Sequence, residues 1–98
     1  MKKLIKEITS VYGPAGNEEK IRVFIQEKIE KYVDEIYEDN LGNLIALKKG
    51  SKNAKKIMFA AHMDQIALMI THIDENGFLR FTNVGGVGYN FLPGTTVI

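Results

Sequence analysis

Two His-x-Asp pairs are the residues whose types and spacing could do chemistry: His62 with Asp64, and His72 with Asp74. His62 follows an unbroken apolar run, Ile57–Ala61, that is typical of a strand covered on both faces. Ligands and metal ions collect at the carboxyl ends of strands in open α/β sheets, and zinc readily accepts imidazole and carboxylate. Because side chains alternate along a strand, His62 and Asp64 would point to the same face. One residue could then bind a metal ion, while the other binds the same ion or the far imidazole nitrogen.

The alternative is that His62 is a buried structural histidine and Asp64 an ordinary capping residue. The second pair has a different context, because Asp74 leads straight into a turn at residues 75–77. Aspartate has a local structural role in such turns. We therefore predict a structural role for His72 and Asp74, and we assign the candidate chemistry to the first pair.

Apolar residues at helical spacing predict two helices in the first third of the chain. The first helix would contain Leu4, Ile5, Ile8, Val11 and Tyr12 and end at Gly13-Pro14. Asn17 is predicted to cap the second helix, since Glu18 and Glu19 follow it and complement the helix dipole. The apolar face of the second helix would consist of Ile21, Ile25, Ile29, Tyr32, Val33 and Ile36.

Strand-like segments follow, separated by polar turns. In chain order they are Glu35–Glu38, Leu44–Lys48, Ile57–Ala61, Ile66–Ile70, Phe78–Phe81 and Thr95–Ile98. The first two flank a turn, Asp39–Asn43, and are predicted to form a hairpin. Because the sequence stops where a strand begins, we expect its 98 residues to be the first part of a larger protein.

Two glycine-rich segments are predicted to be backbone turns and not nucleotide-binding loops. Gly13–Glu19 lacks the lysine-serine pair of a P-loop, and its two glutamates would oppose a phosphate group. Val84–Gly88 lacks the G-x-G-x-x-G spacing of a dinucleotide fingerprint.

The composition argues against several classes of protein. A formal net charge of +1 is unlike the clear basic excess of a general nucleic-acid binder. The absence of cysteine excludes a disulfide scaffold and a thiolate metal site. The N-terminus lacks the long apolar stretch of a secretory signal, and no segment approaches the roughly 18 apolar residues of a membrane span. A soluble cytoplasmic protein without nucleic-acid or membrane partners is expected.

The order of these motifs resembles the cytoplasmic glutamyl-aminopeptidase family. Its members are two-metal aminopeptidases that build large tetrahedral particles, and some carry the older name endoglucanase M. The resemblance covers essentially the whole chain. The segments that carry it are Gly13–Glu19, Asp39–Asn43, Ala61–Asp74, Gly77–Phe81 and Val84–Val87.

The resemblance implies roles for two residues. The histidine of the family's His-x-Asp motif is its first metal ligand, which is His62 here. The aspartate of that motif, Asp64 here, supports the catalytic site by orienting the histidine. The other ligands of the two divalent ions, zinc or cobalt, lie far downstream in the family, as does the glutamate that serves as general base. This chain departs from the family at Gln65–Ala67, where Glu-Ile-Gly is common, and the difference changes the charge beside the site.

The fold class implied by the resemblance is α/β: the N-terminal part of a di-zinc exopeptidase-like mixed-sheet domain that leads into an inserted β-rich domain. Residues 1–65 would begin the catalytic domain. Residues 66–98 would contain the remaining strands of this chain and lead into the inserted domain. The family uses that domain for oligomerisation.

The implied function is a metallo-aminopeptidase that releases N-terminal residues from peptides with metal-activated water. The full-length protein would be a homo-oligomer, and the 98-residue chain alone would be inactive. A related di-zinc amidohydrolase or deacylase remains an alternative. A non-catalytic assembly module is another, because a catalytic zinc needs three protein ligands and one histidine cannot hold it. Cellulose hydrolysis is disfavoured, since a glycosidase needs two facing carboxylates.

Overall fold

The computed structural model describes residues 1–97, which form two helices and two separate antiparallel hairpins. The helices are α1 (Lys2–Thr9) and α2 (Glu19–Ile29), and α2 runs into a 3-10 turn at Glu30–Tyr32. The strands are β1 (Glu35–Glu38), β2 (Leu44–Leu47), β3 (Ala67–Ile73) and β4 (Leu79–Val84), followed by a 3-10 turn at Tyr89–Phe91. Neither α1 nor α2 has the length and apolar character needed to cross a membrane.

The first helix is shorter than its apolar stripe predicts. It ends at Thr9, so Val11 and Tyr12 lie beyond it. The hydroxyl groups of Thr9 and Ser10 both donate to the carbonyl of Lys6, at 3.3 and 2.7 Å. Such bonds from Ser and Thr to the preceding turn compete with continuation of the helix.

The predicted cap of α2 is wrong by one residue. The N-cap position belongs to Glu18, not Asn17, and no side chain caps the helix. The amide of Asn17 instead donates to the carbonyl of Pro14 at 2.9 Å, while the Glu18 carboxylate accepts from the amide of Gly16 at 2.6 Å. These bonds close the loop on itself and delay the start of α2.

The predicted apolar face of α2 also extends too far. The helix ends at Ile29, and the backbone of Val33 is extended, with φ −120° and ψ 160°. Ile36 therefore lies in β1, as the strand pattern predicts.

The hairpin of β1 and β2 is confirmed, with Glu35–Glu38 as predicted and β2 ending one residue early, at Leu47. One oxygen of Asp39 accepts the backbone amides of Leu41 and Asn43, both at 2.9 Å, and the other accepts the Asn43 side-chain amide at 2.9 Å. These donors, the Asn43 side chain foremost, hold the pKa of Asp39 below its ordinary value. Since a lowered carboxyl pKa contributes stability that is lost as pH falls through it, the turn is weakened in acid.

Charged side chains connect α2 to the turn of this hairpin, and others form contacts at its open end. Arg22 donates to the carbonyl of Gly42 at 3.1 Å and to the Glu38 carboxylate at 3.0 Å. At the other end, the backbone amide of Lys49, and after it the side chain of Lys48, lower the pKa of Asp34.

The apolar run Ile57–Ala61 is not a buried strand, which corrects the prediction. No strand pairs with it in residues 1–97, and the exposed fractions of Ile57, Met58 and Phe59 are 78, 87 and 94%. A strand requires a hydrogen-bonded neighbour, and the two described hairpins pair only within themselves.

The second hairpin joins β3 and β4 in antiparallel register, with an irregularity between Ile70 and His72. The prediction that Ile66–Ile70 is covered on both faces is wrong, since Met69 and Ile70 are each 54% exposed. The predicted strand Thr95–Ile98 is not formed over its first three residues, where Thr95 closes a turn onto Leu92. Ile98 lies outside the described residues.

Little of the described chain is buried. The accessible surface is 8958 Å², whereas a compact protein of 11.0 kDa exposes about 5,600 Å². Within residues 1–97, the buried positions are Gly13, Pro14 and Ile21, where the loop after α1 meets α2. This small core lies beside the segment that carries His62 and Asp64.

Candidate functional site

His62 and Asp64 lie together, as their spacing predicts. The Nδ1 atom of His62 is 3.0 Å from Oδ1 of Asp64 and 3.1 Å from the Asp64 backbone carbonyl oxygen. The His62 side chain is 83% exposed and that of Asp64 is 41% exposed. The predicted contact is therefore present, although the segment before it does not belong to a strand.

The contact favours the tautomer of His62 in which Nδ1 carries the proton. A backbone carbonyl can only accept a hydrogen bond, and the Asp64 carbonyl lies 3.1 Å from Nδ1, so Nδ1–H is assigned as the donor to the oxygens of Asp64. In the neutral imidazole the Nε2 atom then has a free lone pair. A metal-binding histidine commonly donates its other ring N–H to a carboxylate or carbonyl in this way.

The pair fits a divalent metal ion as one ligand with its support, and not as a complete site. A catalytic zinc ion has three protein ligands. Residues 1–97 contain no group of three or more His, Cys, Asp or Glu side chains close enough to hold an ion. The arrangement can supply one imidazole, oriented by one carboxylate, to a centre whose other ligands come from elsewhere.

The loop after α1 holds the pair in place. The amide of Gln65 donates to the carbonyl of Gly13 at 2.9 Å, and Pro14 and Gln65 form an isolated parallel bridge. Sequence reasoning interpreted this loop only as a turn and missed the contact. Pairing between positions so far apart leaves no local periodicity that a single sequence could reveal.

An open groove of about 570 Å³ runs beside the pair. It is lined by His62, Met63 and Asp64, by apolar side chains of both helices and Glu18, by residues 41–44, and by Phe59 and Ala61. The pair thus lies at a groove that both helices and the turn between β1 and β2 also line.

The second His-x-Asp pair does not form such a contact. Asp74 accepts the backbone amides of Asn76 and Phe78, both at 2.9 Å, and closes the turn between β3 and β4. His72 lies on β3 opposite Arg80. The predicted structural role of Asp74 is confirmed, and the two residues of this pair have separate surroundings.

The family of the chain follows from its similarity to known proteins. Residues 42–98 match the model of the M42 glutamyl aminopeptidases, which is more than half of the sequence. The chain belongs to the M42 family. A putative aminopeptidase of Acetivibrio thermocellus is 60% identical to this M42 chain over 84 residues, which is 86% of the chain and 25% of that relative.

Solved structures give the same result for the fold of this M42 chain. Aminopeptidase APDkam598 from the archaeon Desulfurococcus kamchatkensis is 43% identical with a TM-score of 0.84, over 90% of this chain and 24% of that one. A protein named PhTET1-12s, solved with a dodecamer in the asymmetric unit, is 42% identical with a TM-score of 0.76, over 90% of this chain and 26% of that one. The mixed α/β fold therefore resembles the N-terminal part of M42 aminopeptidases, and the chain spans about a quarter of their length.

Proposed function

We propose that the full-length protein containing this chain is a metal-dependent aminopeptidase, in which His62 is a metal ligand and Asp64 supports it. Family membership supports the reaction class. The observation that carries the site assignment is the 3.0 Å contact between Asp64 and Nδ1 of His62, which leaves Nε2 free.

Each of the two residues has a defined task in this proposal. The Asp64 carboxylate accepts a hydrogen bond from Nδ1–H of His62, fixes the orientation of the ring and raises the basicity of Nε2. Nε2 would then be free to hold one of two divalent ions, zinc or cobalt. The chemistry supplied there would be polarisation of the peptide carbonyl and a lowered pKa of bound water near neutral pH. The remaining ligands and the general base would lie outside this chain.

The exposed apolar surface supports part of the domain arrangement expected from the sequence. Residues 1–65 would begin the catalytic domain, in which Ile57–Ala61 gains strand neighbours from parts of the protein beyond the described residues. Residues 66–98 would lead into an inserted β-rich domain. The 78–94% exposure of Ile57, Met58 and Phe59 supports only the part of this proposal in which other residues of the protein cover that run, because proteins rarely leave such contiguous apolar surface uncovered.

The partners follow from the same proposal. The substrates would be peptides with a free amino terminus, and the protein would be a cytoplasmic homo-oligomer. The dodecamer of the similar protein PhTET1-12s supports the oligomer. The nearly balanced charge, +1, supports the absence of nucleic-acid partners.

A pair of substrates tests the reaction class. The full-length enzyme is expected to release the first residue of a peptide with a free amino terminus, to lose this activity with a chelator, and to regain it when zinc or cobalt is added. The same peptide with an acetylated amino terminus is the matched control and should resist hydrolysis. Removal of the acetyl group would instead indicate the deacylase alternative, and no reaction with either substrate would favour an assembly module.

The 98-residue chain alone serves as a further control in the same assay. It is expected to show no turnover with added metal, because it offers one of the three protein ligands that a catalytic zinc requires. Measurable release of the first residue by the purified chain would contradict the proposed division of ligands.

A further inference from the structure

The small core of the described chain is formed where Gly13 packs against Ile21. Gly13 and Pro14 are buried, and the Ile21 side chain is 3% exposed. A Cβ atom built on Gly13 would overlap Cγ2 of Ile21 and lie 2.9 Å from Cβ of Ile21. The backbone of the loop therefore touches α2 at a distance that only glycine permits.

This contact continues directly to the candidate site. The Gly13 carbonyl accepts the amide of Gln65 at 2.9 Å. Gln65 follows Asp64, which holds the imidazole of His62. A shift of Gly13 away from α2 would thus be passed through one hydrogen bond to the pair.

We propose that Gly13 is a positioning residue of the metal site, whose close packing on Ile21 sets the place of Gln65 and, through it, of His62 and Asp64. The inference rests on the proposed function, since it assumes that His62 binds a metal ion. Outer-shell changes at metal sites typically reduce metal affinity by about 10–100-fold. A displacement of the support should have an effect in that range.

Gly16, another glycine of the same loop, provides a control. It distinguishes a positioning role of Gly13 from a general effect of loop flexibility. Gly16 has φ +85°, a backbone conformation that favours glycine, but a Cβ atom there would meet nothing within 4 Å. Gly16→Ala would strain the loop without pushing it against Ile21. If the contact with α2 is what matters, Gly13→Ala should affect the metal site much more than Gly16→Ala.

The test uses the full-length protein and two readouts that need no turnover. The zinc dissociation constant is measured by competition with a chromophoric chelator, and the visible absorption of the cobalt-substituted protein reports ligand geometry. Gly13→Ala is expected to weaken zinc binding by about tenfold or more and to change the cobalt spectrum. Gly16→Ala and the remote Gly50→Ala are expected to leave both close to the parent protein.

A compensating substitution distinguishes positioning from general loss of stability. Ile21→Gly removes both Cγ2 and Cβ, the two Ile21 atoms that a Cβ on Gly13 would meet within 3.0 Å. The double variant Gly13→Ala/Ile21→Gly should therefore recover most of the lost zinc affinity, although Ile21→Gly alone removes core packing, weakens α2 and lowers the melting temperature. Zinc affinity that follows melting temperature across these variants would overturn the inference.

Two further variants keep the result decisive. If Gly13→Ala does not fold, replacing Gln65 by its α-hydroxy acid analogue removes the N–H that donates to the Gly13 carbonyl, and weaker zinc binding is again expected. The ester also makes the Asp64 carbonyl, which contacts Nδ1 of His62, a weaker acceptor, and this change acts in the same direction. His62→Ala is the reference for the proposed function. If His62→Ala loses zinc but neither Gly13→Ala nor the Gln65 analogue changes zinc affinity, the positioning role of Gly13 is overturned. The assignment of His62 as a metal ligand would then still stand. Unchanged affinity with His62→Ala would overturn the metal assignment and this inference with it.

Discussion

Replacing His62 with alanine in the full-length enzyme is expected to lower its metal content and nearly abolish its activity. The substitution deletes the only imidazole that the Asp64 carboxylate orients, and with it one of the few protein ligands that a catalytic ion has. The loss of metal affinity should exceed about 100-fold, the upper end of the range for outer-shell partners. Elemental analysis of the purified variant and an assay with an aminoacyl anilide measure the two effects.

His72→Ala is the matched control, since His72 also precedes an aspartate by two positions. Its neighbour Asp74 bonds to backbone amides of a turn and not to an imidazole. The His72 variant should keep its metal. Equal metal loss in both variants would mean that the choice between the two pairs has no basis.

Asp64→Asn is expected to have a smaller but clear effect, about 10–100-fold in metal affinity or activity. Asparagine keeps the shape of the side chain and an oxygen that can accept a hydrogen bond from Nδ1–H of His62. It loses the negative charge that raises the basicity of Nε2. Activity measured over a range of zinc concentrations should show residual turnover at saturating metal.

The outcome also separates the two roles that the sequence leaves open for Asp64. A metal-free, inactive Asp64→Asn enzyme would indicate that Asp64 is a direct ligand. Activity equal to that of the parent would contradict both roles. Asp74→Asn makes the same chemical change in the other pair and should leave the metal site unaffected.

Local features of the fold could be predicted from sequence where their stabilising contacts are also local. The Asp39 turn places its carboxylate on amides two and four residues ahead, at 2.9 Å. Such a turn is encoded by the residues that form it, and with it the register of β1 and β2. The same holds for the turn that Asp74 closes.

Features that depend on distant partners could not be predicted. The run Ile57–Ala61 has the composition of a buried strand, but the described residues offer it no neighbour, and Phe59 is 94% exposed. The predicted helix ends were wrong because of local hydrogen bonds. The hydrogen bonds that the Ser10 hydroxyl donates to the Lys6 carbonyl and the Gly16 amide donates to the Glu18 carboxylate shift these ends by one or a few residues, which hydrophobic spacing alone does not resolve.

The candidate site shows the same division. The contact of His62 with Asp64 joins residues two apart and was predictable from their spacing. The bond of Gln65 to Gly13 joins distant positions, and nothing in the sequence of either segment indicates it. What supports the pair was therefore visible only in three dimensions.

The location of the metal ion in the full-length enzyme tests the central claim most directly. Anomalous diffraction from crystals grown with zinc would place the ion without reference to activity. We expect the ion about 2.0–2.1 Å from Nε2 of His62, with Nδ1 still hydrogen-bonded to Asp64. An ion bound away from His62, or through its Nδ1 atom, would contradict the account.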